Sequence, residues 1–168
     1  MPATMHALSV PIFVKTLGNL SAILDKAAAH AQAKKIDPAV LLNSRLYPDM
    51  FTLTRQVQLA GDFAKGTAAR LAGLEPPKYE DTETTFDQLK ARIARTLEFV
   101  QGINPSQFEG ADAREISIKI RDTTQKYSGL VYLAHVALPN FFFHSTTAYD
   151  ILRHNGVELG KRDFVGAS

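Results

Sequence analysis

Apolar residues recur at intervals of three or four along four long stretches of this chain, the pattern of amphipathic helices packed against one another. Phe13, Leu17, Leu20, Leu24, Ala27 and Ala31 form the first stripe. It predicts a helix from about Ser9 to Lys34, with Ser9 as its cap and Pro11 tolerated in the first turn. Leu53, Val57, Ala60, Ala64, Thr67 and Leu71 form the second, in a helix from about Asp49 to Leu71 that Gly73 ends. The connector "IDPAVLLNSRLYP" joins the two and has room for a short helical turn after Pro38. A third helix, about Thr85 to Gly102, buries Phe86, Leu89, Ile93, Leu97 and Val100. Thr85 and Gln88 stand in capping-box spacing at its start, and Asn104-Pro105 stops it. The fourth starts near Pro139, after a short helical lead-in, and ends at Asn155-Gly156. Its predicted buried stripe is Leu138, Phe141, Phe142, Ser145, Ala148, Tyr149 and Leu152.

Between the third and fourth helices the rhythm changes. Ile116, Ile118 and Ile120 alternate with polar residues, which reads as one half-buried strand, and a second short strand around Tyr127 completes a hairpin. The expected class is all-α: a four-helix bundle with one small β-hairpin excursion, in a single domain over residues 1–168.

Several functions are disfavoured by composition. The nineteen Lys and Arg residues are scattered and leave a net charge of only +2, so no basic stripe for nucleic acid forms. No apolar run approaches the roughly 18 residues of a membrane span. The first residues lack a basic start, and Pro11 and Lys15 interrupt their apolar stretch, so a cytoplasmic protein is expected. With no cysteine, thiolate nucleophiles and sulfur-ligated metals are absent.

The densest chemistry is in "FFFHSTTAYDILRHNG", residues 141–156. His144 and His154 are ten residues apart. On a helix that is roughly 80° of rotation and about 15 Å along the axis, so the two do not share an ion. His144 borders the buried stripe, where it serves as a structural hydrogen-bonding residue or as a functional imidazole. Tyr149 lies in the stripe, and a buried hydroxyl needs a partner. In "TRQVQLAGDFAKG", Gln58 and Asp62 share a face of the second helix, beside Ala60, Gly61, Ala64 and Gly66. That face is either a solvated side or one turned to a cleft.

The segments "LPNFFFHSTTAYDILRHNGVELGKRDFVG", "QVQLAGDFAKGTAARLAG" and "PPKYEDTETTFDQL" resemble the bacterial domain-of-unknown-function family 1993. That family is placed among the DinB-like and YfiT-like bundles of metalloenzyme type. The resemblance implies one histidine from the second helix and two from the fourth, spaced by four, around a divalent metal. This chain departs from the pattern. Its second helix has no histidine, and Ala148 stands four residues after His144. One imidazole falls short of the three protein ligands of a catalytic zinc site, so a divalent metal is disfavoured and no residue is assigned as a ligand.

The expected function is therefore a DinB-like bundle without the metal triad, binding a small molecule or partner in an inter-helix cleft. Asp62 would be base or anchor, Gln58 a ligand contact, His144 a proton donor or hydrogen-bond partner, and Tyr149 an orienting hydroxyl. One rival is a metal-dependent transferase or hydrolase using His144 with carboxylate ligands. Another is a structural or interaction protein that forms a homodimer, with Phe143, off the buried stripe, at the partner surface.

Overall fold

The protein is described by a computed structural model over residues 4–120 and 122–166. Helix α1, Val10–Lys34, carries Pro11 in its first turn, where a missing N–H costs nothing. Ser9 does not cap it with its side chain. The preceding residues are already turned, and the Ser9 hydroxyl instead donates backwards to the carbonyl of Met5 at 2.6 Å. The five-residue α2, Pro38–Leu42, is capped by Asp37, which accepts from the Ala39 N–H at 2.9 Å. Helix α3, Leu53–Leu71, starts later than the apolar spacing predicts because Thr52 takes the cap position and accepts from Arg55 N–H. Helix α4, Phe86–Gly102, opens on the Thr85–Gln88 capping box that the sequence announces.

After a short 3₁₀ turn, Pro105–Phe108, strands β1 (Glu115–Ile120) and β2 (Thr123–Ser128) form an antiparallel hairpin with Ile116 opposite Tyr127. Ile116 is buried and Ile118 partly so, while the side chain of Ile120 lies outside the described residues. The chain then enters α5, Gly129–Val131, a π-helical stretch, Tyr132–Ala137, and α6, Leu138–His154. Helical backbone thus begins well before Pro139, which sits inside the run. Proline lacks an N–H and crowds the carbonyl four residues back, and widening the preceding turns to i→i+5 bonding accommodates it. The Asn140 amide donates to the Val136 carbonyl at 2.7 Å, supplying a donor where the ladder is disturbed. Gly156, at φ +88°, ends α6, and a last helix, α7, spans Lys161–Val165.

Helix α3 packs on α6 and α4, and α1 packs on α4 and α6, which closes the four-helix bundle. Its centre holds Phe13, Leu17 and Leu24 of α1, Val57 and Ala64 of α3, Ile93 of α4 and Phe141 of α6. Phe13 meets Phe141 edge to face at 4.9 Å between centroids. Ala60, Gly61, Ala64 and Ala68 are buried along α3 and let its neighbours approach.

On α6 the buried face is turned relative to the predicted stripe. Phe141, Ser145, Ala148 and Leu152 are buried as expected, joined by His144, Thr147 and Ile151. Phe142 is 38% exposed, and Leu138 and Tyr149 are only partly covered. The extensive contact with α3 covers the His144 side and leaves the Phe142 side open. No helix among the described residues is long and apolar enough to cross a membrane.

Candidate functional site

His144 projects from α6 toward α3 and is 9% exposed. Its Nδ1 lies 2.7 Å from Oε1 of Gln56, one helical face away from Gln58. The Gln56 amide nitrogen donates to the Phe51 carbonyl at 3.4 Å, so the amide oxygen is the end facing the imidazole. Nδ1 therefore carries the proton and donates, and Nε2 is left as a lone-pair acceptor. Nε2 has no partner among the described residues, and it is not among their sealed side-chain atoms. The ring stacks on Phe63, with centroids 5.6 Å apart and planes 21° apart, and meets Phe143 at right angles. Burial lowers the imidazole pKa, and the nearby Arg55 guanidinium lowers it further, so the ring is held neutral.

Gln58 and Asp62 face a different neighbour. Both belong to an ion network in which α3, α4 and the loop between them converge on Arg92 of α4. Arg92 Nη2 lies 2.9 Å from Asp62 and 2.9 Å from Asp81, and Nη1 lies 3.1 Å from Glu83. Nη1 also donates to the Glu80 carbonyl at 2.9 Å, and Lys65 reaches Asp62 at 2.9 Å. Gln58, 3% exposed, donates to Glu83 at 2.8 Å and accepts from Arg55 at 3.2 Å. Burial pushes the Glu83 carboxyl up, but hydrogen bonds from Gln58, its own backbone N–H and Arg92 outweigh it, so its pKa lies below the ordinary value. Three cations meet three carboxylates, so the network is near neutral where it is most buried.

The structure therefore joins Gln58 to Asp62 through Glu83 and Arg92, and joins His144 to Gln56. Arg55 spans the two groups, since it hydrogen-bonds Gln58 and its charge acts on His144. Tyr149 stands apart, its ring edge-to-face with Phe164 of α7 at 6.0 Å. Five residues of helix turn it about 140° from His144. A cavity of about 320 Å³ opens beside the network, lined by Asn43, Thr52, Arg55, Gln58, Asp81 and Glu83 among others.

The donor set does not suit a three-ligand zinc centre. With Nδ1 bonded to Gln56, His144 offers one free donor atom, Nε2, while Asp62, Asp81 and Glu83 all hold Arg92. Among the described residues no three His, Asp or Glu side chains are placed to share an ion.

Sequence reasoning passes over Gln56, Asp81, Glu83 and Arg92. Two of them leave a signal. Gln56 stands three residues after Leu53 and four before Ala60, and Arg92 three after Leu89 and four before Thr96. Each is a polar residue on a row that is otherwise buried, and such a residue demands a partner from another element.

The profile described as a domain of unknown function, DUF1993, matches residues 5–165. A crystal structure of a DinB family member protein from Shewanella denitrificans is similar at a TM-score of 0.92 and 47% identity, covering 98% of this chain and 93% of that one. Among curated proteins none matches.

Proposed function

The chain belongs to the DUF1993 family, and from that premise we propose that it is a DinB-like bundle that binds a small polar molecule in an inter-helix cleft without a metal triad. The observation that carries the reading is the oriented imidazole. Gln56 fixes the Nδ1–H tautomer of His144, and the unpartnered Nε2 is left to accept a hydrogen bond or proton from a ligand hydroxyl, ammonium or acid group. Arg55 and Gln58, which line the cavity beside the ion network, would contact the ligand's polar groups, and Arg55 is the residue whose charge also reaches His144. Asp62 would serve as an anchor behind them, holding Arg92 and with it the loop that walls the cavity. The position of Tyr149 favours support of α7 over contact with the same ligand.

Thermal-shift screening of small hydroxy, amino and carboxylic compounds tests this. A compound that raises the midpoint of the native protein, but not of His144→Gln or Gln58→Leu, supports it. Compounds that stabilise all three equally, or none at all, sink it.

A second reading, an interaction protein forming a homodimer, is favoured by the exposure of Phe143, at 56%, next to Phe142 on α6. Sedimentation that depends on concentration in the native protein and not in Phe143→Ser would establish it.

A further inference from the structure

The hairpin of β1 and β2 is a two-stranded sheet with both edges open. Apart from the short α5 that follows it, the helices make only marginal contact with it. Ile116 at its base is buried and Ile118 partly so, while Glu115, Ser117 and Lys119 on the opposite face are exposed. Among the described residues no backbone hydrogen bond ties residues 115–119 to a segment beyond the hairpin. The outward N–H and C=O groups of β1 are therefore a row of donors and acceptors without backbone partners. The loop at residues 73–76 does not supply them, and a cavity of about 320 Å³ lies between it and the start of β1.

Native sheets usually protect such an edge with proline, a bulge or a covering element. The sequence of β1, EISIKI, has no proline, and its register with β2 runs unbroken from Glu115–Ser128 to Ile120–Thr123. A two-stranded hairpin is marginal by itself, and further strands stabilise it. What β1 carries is a pattern that complements itself. In an antiparallel pair centred on Ser117, position 115 stands opposite 119 and position 116 opposite 118. Glu115 then faces Lys119 of the other strand twice over, and Ile116 faces Ile118. Centred on Ile116 or Ile118 instead, the strand sets one charge opposite Ser117 and does not pair Glu115 with Lys119. The ion pair that Glu115 already makes with Lys126, 2.9 Å long and exposed at both ends, holds the carboxylate only weakly.

We propose that β1 pairs with β1 of a second copy of this chain, antiparallel across a two-fold axis at Ser117, to make one continuous four-stranded sheet. The antiparallel arrangement sends the two hairpin bases to opposite ends of the sheet, which sets the bundles apart. The same edge meets itself, so association closes at two copies. The outer edges of the sheet are then β2, whose one charge, Lys126, is of the kind that discourages further pairing. This surface is distinct from the Phe143 side of α6.

Sedimentation equilibrium of the full chain over a concentration series tests the proposal. The expected result is a monomer–dimer equilibrium in the native protein. Lys119→Glu sets like charges opposite each other at both ends of the pair and should weaken the dimer about tenfold or more. Adding Glu115→Lys to it exchanges the two charges and should restore most of the native affinity. Because the chain has no cysteine, Ser117→Cys supplies a single thiol. Mild oxidation should then link two copies, since residues directly opposite each other lie within disulfide reach. Thr124→Cys, on β2, should stay unlinked. A monomer at every concentration overturns the proposal, as does a dimer that Lys119→Glu leaves unweakened or that the charge exchange does not restore. Ser117→Cys linking no more readily than Thr124→Cys overturns it as well. Phe143→Ser leaves this dimer intact, so a dimer lost in that variant and untouched by Lys119→Glu belongs to α6 instead.

Discussion

His144 Nδ1 and Gln56 Oε1, 2.7 Å apart, join α6 to α3 through a buried hydrogen bond between side chains eighty-eight residues apart in sequence. Gln56→Leu removes the acceptor and leaves a sealed ring nitrogen. The expected cost is about 1–3 kcal/mol, read by urea unfolding. The imidazole also loses its single tautomer, and ¹⁵N spectra of His144 should pass from a protonated Nδ1 to a mixture.

Stability should depend on pH through the same ring. The folded pKa of His144 lies below its ordinary value, so in the acidic range the unfolded chain binds a proton that the folded chain refuses. Its contribution is complete above about pH 6.5, the unfolded value. It is lost as pH falls from there through the folded pKa. The midpoint of thermal unfolding should drop over that window more steeply in the native protein than in His144→Gln. Parallel curves would show that the ring titrates as it does in the unfolded chain.

Arg92 is the residue whose removal should hurt most. Arg92→Met leaves Asp62, Asp81 and Glu83 facing one another without their shared cation. A buried charge group stripped of its partner costs about 3–5 kcal/mol. Asp81 is 43% exposed at its side chain, and Asp81→Asn should cost about 1 kcal/mol or less. Chemical denaturation of the two variants side by side measures the contrast.

Gly129, where β2 passes into α5, has no room for a side chain. A Cβ there would stand 1.8 Å from the Ala111 carbonyl oxygen, so backbone has to move. Gly129→Ala should cost about 1–3 kcal/mol, as overpacking does, and shift the amide resonances of the hairpin. An unchanged hairpin spectrum would contradict that close approach.

Tag-free protein dialysed against zinc, manganese or nickel should hold less than stoichiometric metal by elemental analysis. Full occupancy that disappears in His144→Ala would instead favour the metal-dependent transferase or hydrolase.

The four helices and the hairpin are legible in the sequence because each is written in local period: Leu17, Leu20 and Leu24 state a helix, and Ile116 and Ile118 a strand. The Thr85–Gln88 box and Gly156 are legible for the same reason, since caps are local chemistry. What the period does not encode is which side of a helix a neighbour covers. Phe142 belongs to the predicted stripe and His144 only borders it, yet the closeness of α3 buries His144 and leaves Phe142 open. The helical lead-in ahead of Pro139 is legible, but its continuity through the proline is not, because proline ordinarily marks a beginning and here its clash is absorbed by a widened turn. For the site, Gln58, Asp62 and His144 stand out as residue types. Their partners Glu83, Arg92 and Gln56 come from other elements or other faces, and pairing across elements is a property of the assembled bundle.

The widened turn at Tyr132–Ala137 also acts as a phase setter. An i→i+5 bond takes in one residue more than the ordinary helical bond, and one residue is about 100° of rotation. Tyr132, the first residue of the turn, addresses Thr67 and Arg70 near the end of α3, while His144, beyond it, addresses Gln56 near the start. Both meet the same helix because the count of residues between them includes the wide turn. Deleting a single residue within that stretch would leave every side chain chemically intact and swing the imidazole about a quarter-turn off its partner. The alignment of the site is thus stored as a number of residues, upstream of any residue that touches it.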